Sequence, residues 1–477
     1  MEFNSWQFIL FLAVVMVFYH LTPTRGAKNT LLLFASYAFY AAWDWRFGTL
    51  ILLSTVTDFF VGKRIYLSSS ESTRRWWLVF SLVVNLSVLG FFKYFNFFMG
   101  SFLGTLHSLG LQVEPAYFNI ILPIGISFYT FQTLSYTIDI YRRQLKPTSS
   151  FVNFALFVAL FPQLIAGPIE RARNILPQLQ VDNIISKRHL WMGLQLIFWG
   201  LFKKVYVADN VALIVDQLFD SSAELSFGLA YLAVLGFAVQ IYADFSAYSD
   251  IARGCAKIFG IDLMQNFRNP YLACSPQDFW RRWHISLSTW LRDYLYVPLG
   301  GNRGGQLFSY RNLLLTMILG GLWHGAAWNF VWWGIYHGAL LAMHRYSASI
   351  FRIEVPRVLS IPIMFHLTLF GWLLFRCTRT VFVDGVPDDQ SFEQIGEFLG
   401  AWSRGVGFDA DLLTVAMQLA LFAVPLFAFE LLNAKHRLWH PLYFGSRVRS
   451  ILISALLLFL IVRYGVQNAD SFIYFQF

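Results

Sequence analysis

Long apolar runs recur along the whole chain, separated by short segments that carry most of its charge. A helix needs about 20 mostly apolar residues to cross the hydrocarbon of a bilayer, and runs of about 17 suffice. On this pattern residues 5–22, 29–43, 47–62, 77–98, 117–141, 190–216, 228–252, 358–376, 413–433 and 450–467 are predicted to be helical spans. Two further runs do not fit a single crossing. Residues 151–169, "FVNFALFVALFPQLIAGPI", and residues 312–343 have basic residues at both ends. Each is predicted to be a re-entrant hairpin or a pair of short helices. Irregular backbone survives at membrane depth only where protein buries it or where it lines a wet cavity. The runs share one membrane plane, so residues 1–477 are expected to form a single membrane domain.

Charge orients this pattern. Lys and Arg collect at 25–28, 62–75, 142–146, 171–188, 253–311, 345–357 and 435–449, which are expected on the cytoplasmic side. Segments 99–116, 217–227 and 381–412 are poor in them. The last holds Asp384, Asp388, Asp389, Glu393, Glu397, Asp409 and Asp411 against Arg404, and is expected to be an acidic extracytoplasmic loop. The two sets alternate if both termini are extracytoplasmic. The first run lacks a basic start and a small-residue cleavage site, so it is expected to stay as an anchor.

Composition supports this class. The chain is only 13% charged, against about 25% in soluble domains. The net charge of +9 could suggest nucleic acid, but cytoplasmic loops of membrane proteins collect the same charge, and no nucleic-acid partner is expected. Cys255, Cys274 and Cys377 have no CxxC spacing, so neither a disulfide framework nor a zinc cluster is indicated. His337 and His344 are seven residues apart, which suits packing better than a metal, and no metal is expected. There is no internal repeat or low-complexity tract.

Against this background two histidines stand out. In "GGLWHGAAWNF", residues 320–330, His324 sits mid-run between Trp323 and Trp328, with Asn329 following. Glycines 320, 321 and 325 let a backbone or ligand approach closely, and the tryptophans would exclude bulk water. The second stretch is "SPQDFWRRWHISLSTWLRDYLYVPLGGNRGG", residues 275–305. Ser275, Pro276 and Asp278 form a helix start, and Pro298 and Gly300 a helix stop. With Arg281, Arg282 and Arg292 among Trp280, Trp283 and Trp290, an interfacial or re-entrant helix is predicted, bearing His284 and, one turn on, Ser288. Histidine titrates near neutral pH and can take a proton from an attacking hydroxyl. The plainer alternative for both is a hydrogen-bonded core histidine that fixes packing. Asp244, within "QIYADFSAYSD", is too costly to face lipid. A helix–helix network is favoured for it over direct catalysis. "GGNRGG", with Arg303, could cradle phosphate, but taken alone a flexible turn is favoured for it.

Taken together, "DFWRRWHISLSTWLRDYLYVPLGGNRGG", "NLLLTMILGGLWHGAAWNFVWWGIYHG", "QIYADFSAYSDIA", "FPQLIAGPIER" and the terminal "FIYFQF" resemble the membrane-bound O-acyltransferase family. The resemblance runs over essentially the whole chain and is nearest to the bacterial polysaccharide branch, with teichoic-acid D-alanylation a neighbouring one. It implies an all-α ring of about 11 transmembrane helices, each of spanning length, with re-entrant and interfacial helices around a central tunnel. It implies that His324 stands at the narrow point as catalytic base and that His284 is the second family histidine, orienting or binding. It implies an acyl donor in the cytoplasm, acetyl-CoA, as a substrate rather than a bound cofactor. Arg281, Arg282, Arg292 or Arg303 would meet its phosphates, and His284 or Trp323 would donate to the thioester oxygen. Trp323, Trp328, Asn329, Ser288, Trp290 and Asp244 are the remaining candidate substrate-binding residues. Membrane lipid, a periplasmic SGNH-type acetyltransferase and polysaccharide export machinery are the implied partners. The bacterial cytoplasmic membrane is the implied location, with alginate, cellulose, peptidoglycan or another exopolysaccharide as acceptor. A transporter or an export scaffold is the competing class, although no pair of matched broken helices is present.

Overall fold

The structure is a computed structural model of the 477-residue chain. It describes residues 1, 3–111, 120–165, 167–182, 185–221, 225–350, 355–383, 386–406, 410–434, 447–466 and 472–473. Among the described residues the protein is all-α apart from one two-stranded antiparallel ribbon, Thr380–Val383 with Val386–Asp389. Helix starts follow short polar side chains. Ser5 accepts from the Phe8 N–H, Thr24 from Ala27 and Ser150 from Asn153, so each satisfies a donor that the first turn leaves open. Four helical stretches among the described residues are long and apolar enough to cross a membrane: Glu71–Leu106, Phe227–Ile258, Arg357–Arg376 and Ala410–Leu432. Trp6–Leu21 and Ile451–Tyr464 are shorter apolar helices.

The described chain forms two compact units. The first comprises Met1–Met99, Tyr117–Gly200 and Tyr248–Gln265. Its centre is the Ile126–Tyr141 helix, buried on nearly every face. The run at 151–169 is a pair of short helices as predicted, Phe151–Ala159 and Phe161–Leu164, broken at Leu160. Residues 154–164 are buried throughout, which is the condition for a broken backbone in an apolar setting. The basic segment after it holds a helix that the hydrophobic pattern did not announce, Ala172–Gln180, with Pro177 inside it. A polar cluster joins the Gly48–Leu67 and Glu71–Leu89 helices and reaches the Ile126–Tyr141 helix through Thr137, 3.3 Å from Ser81 Oγ. The buried Asp58 carboxylate accepts from Ser81 Oγ at 2.6 Å and Asn85 Nδ2 at 3.0 Å, and Ser54 Oγ donates to Asn85 Oδ1 at 2.8 Å.

The second unit comprises Gly100–Ala116, Leu201–Ala247 and Asn266–Phe477. The run at 312–343 forms a helical hairpin, but of full-length helices rather than short ones, Gln306–His324 and Trp328–Ile350. The two backbones nearly touch. A Cβ on Gly334 would lie 2.4 Å from the Met317 carbonyl, so only glycine fits. Such contacts are how helices pack in lipid, where burying apolar surface gives no advantage. A π-helical turn, Phe202–Ala208, carries two buried lysines. Lys203 Nζ donates to Ser246 Oγ at 2.8 Å, and Lys204 Nζ pairs with Asp209 at 2.8 Å and Asp244 at 3.0 Å. Pairing of this kind is what lets charges stay buried. Within the acidic segment 381–412 the described residues form the ribbon, the Ser391–Gly400 helix, a 3-10 turn at Ala401–Arg404 and the start of the Ala410–Ala434 helix, and Asp384 and Asp409 lie outside the described residues.

Candidate active site

The predicted helix over 275–305 is interrupted, and the interruption makes the site. Ser275 does cap its start, accepting from the Asp278 N–H at 3.1 Å. The helix nevertheless stops after Trp280, and a second one, Ile285–Leu291, begins beyond it. Between them His284 has φ 41° and lies in the left-handed region. A non-glycine residue there is held by its surroundings, and here the holder is Asn266. The Asn266 carbonyl accepts from the Ile285 N–H at 2.9 Å. Its side-chain Oδ1 accepts from the Ser286 N–H at 3.1 Å and the Ser286 hydroxyl at 2.9 Å, and lies 3.2 Å from His284 Nδ1.

This arrangement assigns the tautomer. An atom accepting a backbone N–H is an acceptor, so His284 Nδ1 carries the proton and donates to it. His284 Nε2 then holds the lone pair. Of the two residues suggested as donors to a thioester oxygen, His284 therefore presents an acceptor, and the indole N–H belongs to Trp323.

His324 is the last residue of its helix, and Gly325 continues in extended backbone. It is buried, as His284 is. Its imidazole lies among rings: Trp323 and Trp333 at 5.1 Å each, Phe375 at 5.3 Å and His284 at 6.4 Å between centroids. Phe245 stands edge-on to His284 at 4.6 Å. The glycines before and after His324 admit Phe330 of the same hairpin, since a Cβ at Gly321 would meet its carbonyl at 2.1 Å and one at Gly325 its ring at 2.0 Å. Two imidazoles thus sit together in an aromatic, water-poor setting, where a proton transfer or an oriented dipole acts at low dielectric.

The other predicted residues divide. Trp323 is in the wall, but Trp328 is 46% exposed and donates to Ser101 Oγ at 3.2 Å. Trp333 and Phe375 take the place expected of it. Asn329 is buried and donates to the Leu374 carbonyl at 3.2 Å, which fixes the turn of chain carrying Phe375. The Ser288 N–H bonds the His284 carbonyl at 2.9 Å, one turn on as expected, whereas the hydroxyl near the imidazole is that of Ser286. Trp290 packs on Tyr294 at 5.1 Å. Asp244 joins the lysine network and its Oδ2 accepts from the Ile473 N–H at 2.8 Å, which ties down the start of the terminal "FIYFQF"; Tyr474 to Phe477 lie outside the described residues.

The arginines are not drawn in beside the histidines. Arg281, Arg292 and Arg303 are exposed, with Arg292 on Asp293 at 2.7 Å, and Arg282 is paired with Asp278 at 2.8 Å. "GGNRGG" is a pinned turn with positive φ at Gly300, Gly301, Gly304 and Gly305. Arg345 donates to Asn302 at 2.8 Å and Asn312 to the Gly301 carbonyl at 3.1 Å. His337 is a packing residue, buried against Trp333 at 4.7 Å and Trp280 at 5.2 Å. Sequence reasoning missed Asn266, Ser286, Trp333 and Phe375. The signal available for Trp333 and Phe375 was only their aromatic type, and for Asn266 only a polar residue in an apolar neighbourhood.

A model described as the membrane-bound O-acyltransferase family matches residues 39–383, which hold both histidines and every residue of their wall. The chain belongs to this family. It is a multi-pass membrane protein and an O-acyltransferase. Among its relatives, a protein of Azotobacter vinelandii named as a probable alginate O-acetylase is 45% identical over 384 residues, 79% of this chain and 75% of that one. The peptidoglycan O-acetyltransferase of Helicobacter pylori is 39% identical over 78% of this chain and 76% of its own. The teichoic acid D-alanyltransferase of Bacillus subtilis is 27% identical over 54% of this chain and 69% of its own. The O-acetylating members are thus nearer in sequence than the D-alanylating one.

Proposed function

We propose that this O-acyltransferase takes an acetyl group from cytoplasmic acetyl-CoA and passes it across the bacterial cytoplasmic membrane for O-acetylation of an extracellular polysaccharide. The observation that carries the reading is the buried pair His324 and His284 in their aromatic wall, with ring centroids 6.4 Å apart. The names of the more similar relatives support acetyl as the group and a cell-envelope polymer such as alginate or peptidoglycan as the final acceptor.

In this mechanism His324 takes the proton of the attacking hydroxyl. The new C–O bond forms as the thioester C–S bond breaks, and the proton ends on the departing CoA sulfur. The Trp323 indole N–H stabilises the charge that develops on the thioester oxygen. His284, held by Asn266 with Nε2 as acceptor, orients the acceptor hydroxyl. The exposed Arg281, Arg292 and Arg303 supply positive charge for the CoA phosphates at the cytoplasmic face. A periplasmic SGNH-type acetyltransferase receives the group and delivers it to the polymer, docking on the extracytoplasmic side with the acidic segment 381–412. Both termini lie on that side, and the chain works as one membrane domain.

The test is release of label from radiolabelled acetyl-CoA by the full chain in nanodiscs, wild type against His324→Ala. Transfer or hydrolysis by the wild type alone supports the donor and the histidine together. Equal turnover by both sinks the assignment of His324, and turnover of D-alanyl carrier protein in place of acetyl-CoA sinks the donor.

A further inference from the structure

The second unit buries Lys203, Lys204, Asp209 and Asp244 together. Asp244 stands inside the Phe227–Ile258 helix, a stretch of membrane-spanning length and composition. Ionisable groups at such depth are costly, and they face a partner or a function. Lys204 is paired with both aspartates, at 2.8 Å to Asp209 and 3.0 Å to Asp244. Apolar side chains of the same volume often pack at least as stably as a buried ion pair. Stability alone therefore does not account for this group.

Three successive residues of that helix show what it touches. Asp244 meets Lys204 with Oδ1, and its Oδ2 accepts from the Ile473 N–H at 2.8 Å. Phe245 stands edge-on to His284 at 4.6 Å between centroids and packs on Phe472 at 5.8 Å. Ser246 Oγ accepts from Lys203 Nζ at 2.8 Å. Phe245, His284, Phe472 and Ile473 are all buried. Both lysines belong to the π-helical turn Phe202–Ala208, and such turns recur at functional sites. The same turn receives the end of the Arg447–Tyr464 helix. Asn210 Nδ2, just beyond the turn, donates to the Tyr464 carbonyl at 2.9 Å, and a Cβ on Gly465 would lie 2.7 Å from the Val205 side chain. A carboxylate paired with a lysine is a charged acceptor, whose hydrogen bonds are roughly twice as strong as neutral ones. Lys204 thus strengthens the hold on Ile473 without touching it.

We propose that Lys204 and Asp244 are positioning residues of the acyl-transfer site: their ion pair seats Phe472 and Ile473 beside Phe245, and that seat holds Phe245 against His284. Asp244 then serves the reaction through the chain it anchors and not by touching substrate. The inference rests on the role given above to His284, and it adds a dependence of that histidine on residues 40 to 230 positions away along the chain, roughly the sequence span over which packing alone can act.

The experiment uses the full chain in nanodiscs and two readouts, hydrogen exchange at the Ile473 amide and release of label from radiolabelled acetyl-CoA per folded molecule. Asp244→Leu removes the acceptor and leaves Lys204 paired with Asp209. It should speed exchange about tenfold to hundredfold, the worth of a hydrogen bond to a charged group. It should also lower kcat by about tenfold to hundredfold, the scale of a small misplacement at a reacting centre, with KM for acetyl-CoA unchanged. Lys204→Met should do the same more weakly, and Lys204→Arg, which keeps the charge, should restore both readouts. Phe472→Ala leaves every charge in place and should lower kcat as well, so the test stands if Asp244→Leu does not fold. Unchanged exchange in Asp244→Leu and Lys204→Met overturns the seating. Faster exchange with unchanged kcat overturns the link to His284. An equal fall in kcat per folded molecule in Asp58→Ala, in the other unit, makes the loss a general one and overturns the positioning role. Absence of acetyl-CoA turnover in the wild type overturns the donor reading, and the exchange measurement still decides the seating.

Discussion

Asp58 in the first unit and His324 in the second are both ionisable side chains buried within apolar helices, yet their neighbours differ in kind. Around Asp58 stand Ser81, Asn85 and, through them, Ser54 and Thr137, short side chains that donate to the carboxylate or to each other from three helices. Around His324 stand Trp323, Trp333 and Phe375, rings that exclude water and leave room for a second imidazole. A carboxylate saturated by neutral donors is a way to join helices, because separating them would strand every donor at once. An imidazole walled by rings is the arrangement that the proposed acyl transfer uses. The difference teaches that burial of an ionisable group does not by itself mark chemistry; what surrounds it does.

This contrast breaks most directly at its two centres. His324→Ala should lower acetyl transfer by about 10²–10⁴-fold, the worth of a general base, while melting in detergent stays near wild type. Asp58→Ala should do the reverse. It leaves the Ser81 and Asn85 donors buried without their acceptor and should lower stability by about 4 kcal/mol, with turnover per folded molecule kept. If Asp58→Ala abolished turnover while leaving stability intact, the contrast would be wrong.

A second buried carboxyl sharpens the comparison. Glu170 follows the Phe161–Leu164 helix, outside the spanning stretches, and accepts from the Met264 N–H and Asn174. Burial, opposed by those bonds and by Arg171, pushes its pKa up to about 7 from an ordinary 4.5. A raised folded pKa gives stability that is full below the unfolded value and lost as pH rises through the folded one. Melting should therefore fall between pH 4.5 and about 7, by about 3 kcal/mol in all, and Glu170→Gln should flatten that slope.

Smaller effects test the frame of the site. Asn266→Ala frees the proton on His284 Nδ1 and should lower turnover by about tenfold, the worth of the lost hydrogen bond. It should also shift the pH–rate profile, which a merely structural loss would not do. Trp328→Phe removes only the half-exposed indole bond to Ser101. It should change turnover by less than about twofold, whereas Trp333→Ala in the wall should cost far more.

The run of residues foretold most of the helices and singled out the two histidines that the structure brings near each other, because each rests on local information. A stretch of apolar residues must be helical in lipid whatever it packs against, and an ionisable group in such a stretch is noticeable wherever it points. The Arg357–Arg376 helix and the broken pair at 151–164 matched expectation closely for that reason. The break at 281–284 was not legible, because capping signals at Ser275 and Pro298 fit one continuous helix as well as two. The full length of the hairpin helices was missed because their basic flanks suggested a shallow turn.

What the sequence by itself determined is therefore the membrane class, the helical spans and which residues have chemistry to offer. What only the tertiary structure decided is who meets them. Asn266 gives His284 its tautomer from 18 residues away, and Phe375 reaches His324 from another helix. Such partners are chosen by packing between segments distant in the chain, and no local pattern of residues encodes a contact that forms only when those segments are brought together.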